Sequence, residues 1–139
     1  MPAEFTTPDL VELTRAFSEA SDIDTTMSFY GEDSVYDMSR MGMGVFRGPA
    51  AIRGFLQDWD NQYEEYEDEV LDIVRCGNDV VFLAVRQNAR PLGTPQHVRL
   101  RDVYGYVLLW TGRTIARITP YTDADEARAD AEHLAEERR

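Results

Sequence analysis

One cysteine in 139 residues excludes an internal disulfide and fits a reducing compartment. That residue, Cys76, lies in Arg75-Cys76-Gly77-Asn78-Asp79, which reads as a turn. No histidine stands near it in sequence to activate the thiol, so it reads as a small structural residue. Long apolar runs are missing as well. No stretch approaches the length that spans a bilayer, and the opening Met-Pro-Ala-Glu-Phe-Thr-Thr-Pro lacks the basic start and apolar segment of a secretory signal. A cytoplasmic address is expected. Basic residues are few, 14 against 26 acidic, for a net charge of −12. Such a field repels phosphate backbones and anionic lipid, which sets aside nucleic acid and membrane surfaces as partners. Histidine is scarce too: His97 begins a strand-like run, His133 lies in the terminal helix, and neither has a second ligand at metal spacing. No glycine-rich phosphate loop follows a strand, and Gly42-x-Gly44 is too weak a signal for a nucleotide. No metal and no cofactor are expected.

What is present is a core. Hydrophobic residues make up 43% and aromatics 11%, enough for a single globular domain over 1–139, with 1–6 as a flexible start and 123–139 as a C-terminal helix. The chain is organised around Val45–Leu56. Gly48-Pro49 places a stop directly before a helix start, and Ile52, Phe55, Leu56, Trp59 and Tyr63 then recur as one apolar stripe. Before it, Thr7-Pro8-Asp9 opens a helix with Leu10, Leu13, Phe17 and Ala20 on one face. Ser21-Asp22 breaks that helix and caps a second, with Ile23, Met27 and Tyr30 inward and Gly31 as its stop. Ser34–Met38 reads as a short strand, and Arg40-Met41-Gly42-Met43-Gly44 as a mobile lip over whatever lies beneath.

After the central helix the chain reads as strands. The acidic run Glu64–Glu69 reads as a solvated face. Strands are expected over Val70–Arg75, Val80–Asn88, Val98–Trp110 and Thr114–Tyr121, the second apolar enough to be buried on both faces. Asp123 and Glu126 have capping-box spacing for a last helix. Its apolar side is weak (Ala127, Ala131, Leu134), so loose docking is expected. The whole is an α+β arrangement, with helices laid on one side of a curved sheet.

The residues Ala16-Phe17-Ser18-Glu19-Ala20 with Asp22, Val35-Tyr36-Asp37, Phe46-Arg47-Gly48 with Ile52-Arg53-Gly54-Phe55, Trp110-Thr111-Gly112-Arg113 with Ile115, and Arg117 with Tyr121-Thr122-Asp123 occur in a telling order. Together they resemble the SnoaL-like branch of the nuclear transport factor 2-like superfamily. The resemblance implies a cone-shaped α+β barrel with a pocket inside. It implies little about activity, because that superfamily holds isomerases, cyclases, hydrolases, dehydratases and non-catalytic members. In its ketosteroid isomerases the catalytic base is an aspartate in the strand before the Gly-x-Ala-Ala-Ile-Arg-x-Phe helix, and Asp37 falls at that place. Their oxyanion-hole tyrosine has no counterpart here, where Thr14, Ala16 and Phe17 occupy the region, and their acidic donor falls near Tyr106. Steroid isomerisation is therefore not implied.

Strand alternation groups Asp102, Tyr104, Tyr106, Leu108 and Trp110 on one face, a pocket-like mixture of apolar bulk, phenol and carboxylate. Arg86 and Asn88 share a face with Phe82 and Ala84 and suit either a pocket mouth or a solvated strand end. The expected catalytic residues are Asp37 as general base and Tyr106 as donor to a substrate oxygen. Phe17, Phe55, Trp59, Arg86, Asn88, Asp102 and Tyr104 are the expected ligand contacts. Against each stands a plainer role: a hydrogen-bonded carboxylate for Asp37, a satisfied core phenol for Tyr106, core packing for Phe55 and Trp59. Two functional readings stay open. One is a cofactor-free acid–base enzyme of isomerase, cyclase or hydrolase type acting on a small, largely apolar organic ligand. The other is a non-catalytic binder or a module that forms a homodimer through the open sheet face.

Overall fold

The computed structural model describes residues 8–139. The expected Thr7 cap and the flexible 1–6 lie outside the described residues. Helix α1 (Leu10–Glu19) is capped by Asp9, whose carboxylate accepts from the backbone N–H groups of Val11 and Glu12 at 3.1 and 3.2 Å. Asp22 caps α2 (Ile23–Met27) in the same way, through the Thr25 N–H at 2.8 Å. Tyr30 does not continue that helix. It opens strand β1 (Tyr30–Asp37), four residues ahead of the expected start, and Gly31 lies inside the strand. Ser34 explains the early start: its hydroxyl accepts from the Gly31 N–H at 2.8 Å and donates to the Ile115 carbonyl at 2.5 Å, pinning an irregular strand entrance.

A 3-10 turn (Ser39–Met41) leads to β2 (Val45–Arg47), a strand not expected from the sequence because it is only three residues long. Gly48 at φ +85 turns the chain, Pro49 takes the first helical position, and α3 (Pro49–Asp60) follows as expected. Ile52 is fully buried and Phe55 nearly so. Burial of one such aliphatic side chain is worth about 1.5–3 kcal/mol.

The remaining strands are β3 (Tyr63–Arg75), β4 (Val80–Pro91), β5 (Leu100–Thr111) and β6 (Thr114–Tyr121), and α4 (Ala124–Glu137) ends the chain. The six-stranded sheet runs β2-β1-β6-β5-β4-β3; the β1–β6 pair is parallel and every other pair antiparallel. Strand β3 begins seven residues earlier than expected, so the acidic run lies within the sheet, with its five acids exposed. It holds its place because outward acids meet outward arginines: Glu69 with Arg86 at 3.2 Å, and Glu65 with Arg90 and Arg99 at 3.5 and 2.8 Å. A bulge at Leu71 interrupts its pairing with β4 between Val70 and Asp72.

Helices cover both faces of the sheet, not one. The main core lies beneath α1 and α3, with Ile52, Leu83, Leu108, Ile115 and Ile118 at its centre. On the other face α4 docks against Phe82, Ala84 and Val107 through Ala127, Ala131 and Ala135, all essentially buried. The expected loose docking is therefore corrected. Alanines bury little area each but bring the helix close, and closeness replaces bulk. Among the described residues no helix is long and apolar enough to cross a membrane.

Candidate functional site

Between α1, α3 and the concave sheet face lies a cavity of about 980 Å³. Its walls are apolar where the core meets it (Phe55, Val85, Ile118) and aromatic towards its mouth. A chain of ring contacts runs along one wall: Phe46 stacks on Phe55 with centroids 4.5 Å apart, and Phe55–Trp59, Trp59–Tyr63 and Tyr63–Tyr66 follow at 6.0, 6.0 and 5.3 Å. The stripe on α3 supplies Phe55 and Trp59, and the alternation of β3 supplies Tyr66, Asp68 and Val70.

Asp68 is the electrostatic centre. Desolvation pushes its carboxyl up to about 6; the Tyr66 side chain works against that rise, and the charge of Asp60 adds to it. The residue as a whole is exposed, as befits an edge strand, so this is a carboxyl at a mouth, desolvated by the rings beside it and not sealed in a core. Four phenols surround it. Burial holds Tyr36, Tyr66, Tyr104 and Tyr106 above the usual phenol range, and the Asp68 charge raises each of them further. They are neutral hydrogen-bond donors at any ordinary pH. Across the β3–β4 ladder from Asp68 stands Gln87, only 3% exposed and lining the cavity.

A model of the SnoaL-like domain matches residues 10–108, from α1 into β5. The chain belongs to the SnoaL-like family. No curated protein matches it in sequence. Among solved structures the SnoaL-like chain is similar to a protein of Catenulispora acidiphila with a ketosteroid isomerase-like fold, in complex with trimethylamine. The two share 20% identity with a TM-score of 0.67, over 84% of this chain and 86% of that one. A candidate SnoaL-like polyketide cyclase of Shewanella denitrificans matches at 16% identity and TM-score 0.68, over 91% of this chain and 99% of that one. An M. tuberculosis epoxide hydrolase of LEH-like type matches at 17% identity and TM-score 0.67, over 93% and 92%. At these identities the likeness is one of fold, the α+β fold that the sequence resemblance implied.

This SnoaL-like cavity gathers some of the expected residues and leaves others outside. Phe17, Phe55, Trp59, Tyr104 and Tyr106 line it. Asp102 pairs with Gln87 on the same sheet face but stands beyond the lining, exposed at the strand end. Arg86 and Asn88 are corrected: they face away from the cavity, Arg86 bound to Glu69, because the inward positions of β4 are Val81, Leu83, Val85 and Gln87. Asp37 is corrected too. It is absent from the lining and lies on the α4 side of β1 as an ion pair with Arg117, accepting also from the Ser39 hydroxyl and from the Ser39 N–H at 3.0 Å. Burial pushes its carboxyl up, but Ser39 and Arg117 together outweigh that and hold it below the usual carboxylate value. A carboxylate so satisfied is a poor base. The Arg40–Gly44 lip is not free either, since Arg40 bridges to Glu126 and lies 4.3 Å over the Tyr121 ring, while Met38 and Met41 line the cavity. Sequence reasoning missed Asp68, Tyr66 and Gln87. The signal available was the Tyr66-x-Asp68-x-Val70 alternation inside the acidic run.

Proposed function

We propose that this SnoaL-like protein binds a small, largely apolar molecule in its cavity and moves a proton on it, with Asp68 as general base. The observation that carries the reading is a carboxyl raised to about 6 at the mouth of an aromatic cavity, with neutral phenols around it. A base with that value is mostly ionised at neutral pH yet still basic enough to take a proton from carbon. The proton passes to the Asp68 carboxylate. The charge left behind gathers on a substrate oxygen, which Tyr106, a cavity-lining residue of β5, stabilises by donating its hydroxyl hydrogen. Asp37 has no part in this step and serves to tie β1 to β6.

A generic carbon acid tests the reading. Wild-type protein is expected to accelerate deuterium incorporation next to the carbonyl of 2-tetralone in D2O, with activity rising as pH passes through about 6. Asp68→Asn is expected to slow that exchange by about 100-fold or more, and Asp37→Asn by less than about three-fold. Equal exchange by wild type and a folded Asp68→Asn protein would overturn the assignment.

A further inference from the structure

The charges around the cavity narrow the class of molecule, an inference that rests on the cavity reading above. Five carboxylates of the lining, Glu19, Asp22, Asp60, Glu64 and Glu67, join Asp68 at the mouth, and Arg15 is the basic residue set against them. Asp68 forms no ion pair among the described residues, although Arg86, Arg90 and Arg99 stand on or beside the neighbouring strands. All three point their charge at outward acids. Among the described residues Asp68 therefore holds its negative charge without an ion-pair partner, in a cavity where lining acids outnumber the one arginine. Its aromatic walls are suited to the opposite sign: neutral phenol and indole faces attract a cation, and more strongly where water is excluded. Burial raises the Asp60 carboxyl as it does that of Asp68, and the Asp60 charge adds to the rise at Asp68. Independently, the Tyr30 hydroxyl, on a residue 8% exposed that lines the same cavity, has no hydrogen-bond partner among the described residues. A buried polar group left unpaired is the kind of group a ligand atom completes.

We propose that the cavity selects an organic cation: a molecule with an ammonium head and an apolar body. The head lies against Asp68 and the ring faces of Tyr66 and Trp59, and the body runs inward along Phe55 and Val85. The net charge of −12 draws such a molecule in and turns anions away. An uncharged molecule of equal shape gains the apolar contacts but neither the carboxylate nor the cation–π attraction.

The test uses benzyltrimethylammonium and its uncharged carbon isostere neopentylbenzene, each titrated into the full chain while the fluorescence of cavity-lining Trp59 is followed. At neutral pH the cation is expected to bind about ten-fold tighter or more than the isostere. In Asp68→Asn, checked for folding by its thermal melt, the advantage is expected to shrink below about three-fold while the isostere binds as before. Equal or tighter binding of the isostere to wild type overturns the proposal, as does an advantage that survives Asp68→Asn. If neither probe binds, the cavity reading falls with it. If the isostere binds well and Asp68→Asn still abolishes tetralone exchange, the selectivity for cations alone is lost and the acid–base reading stands.

Discussion

Gly105 and Ala127 touch so closely that a Cβ placed on Gly105 would lie 2.5 Å from the Ala127 Cβ and 2.9 Å from the Ala124 Cα. Non-bonded carbons do not approach that closely, and the second contact is backbone, which cannot swing aside. Gly105→Ala is therefore expected to push α4 off the sheet and to destabilise by about 1–3 kcal/mol. A fall in melting temperature of roughly 4 °C per kcal/mol would report it. The cavity lies on the opposite face, so binding of neopentylbenzene to the folded fraction should be unchanged. An unaltered melt would show that the helix docks less tightly than described.

Asp37 and Arg117 make a pH-dependent contribution of known sign. The Asp37 carboxyl lies below its ordinary value in the folded state, so its stabilisation is present above pH 3.8 and is lost as pH falls through the folded value. Asp37→Asn is expected to cost about 1 kcal/mol at neutral pH, a discounted figure because Arg117 stays 44% exposed. Urea unfolding at pH 7 and at about pH 3 checks it, with the difference between variant and wild type smaller at the lower pH. A penalty that is the same at both values would mean that shape, and not charge, is what Asp37 contributes.

Asp68 carries the opposite sign. Its folded value is raised from 3.8 to about 6, so the native state binds the proton more tightly than the unfolded chain does. Ionising Asp68 as pH rises through that window costs stability. Asp68→Asn should consequently be more stable than wild type at about pH 8, by up to about 1 kcal/mol after allowance for its solvent contact, and about equal at pH 4. Loss of stability at pH 8 would contradict a carboxylate held short of positive charge.

Arg40 links the cavity lip to the far helix through Glu126 and the Tyr121 ring. Both partners are half-exposed, so Arg40→Ala should cost less than about 1 kcal/mol overall. Locally the effect should be larger. The Met38 N–H donates to the Gly44 carbonyl at 2.8 Å and the Met43 N–H to the Met38 carbonyl at 3.1 Å, and faster hydrogen exchange at these two amides is expected. Unchanged exchange would mean that the turn holds itself without the arginine.

The helices and the long strands were readable because their signals are local. Gly48-Pro49 starts α3, Asp22 caps α2, and the apolar run from Val80 can only be a strand buried on both faces. The site was less readable because it depends on phase across a sheet. Arg86 and Asn88 look like a polar finish to an apolar run, yet one position over, Gln87 is the residue that turns inward. Asp37 falls where the resemblance implied a base, but that inference needs the absence of a partner, and Arg117 lies 80 residues away in sequence. Asp68 was hidden by its neighbours. Five of the six residues in its run are acidic, and composition alone cannot tell which of them faces Arg86 and which faces Tyr106.

The unpaired Leu71 has a consequence for how such a site arises. Asp68 and Val70 point inward before it, and Ile73 points inward after it, an odd spacing that regular alternation forbids. Delete that one leucine and either the acid or the isoleucine must cross to the other side. A single-codon insertion is thus enough to carry Asp68, together with Tyr66 and Val70, from the outer surface into the hollow.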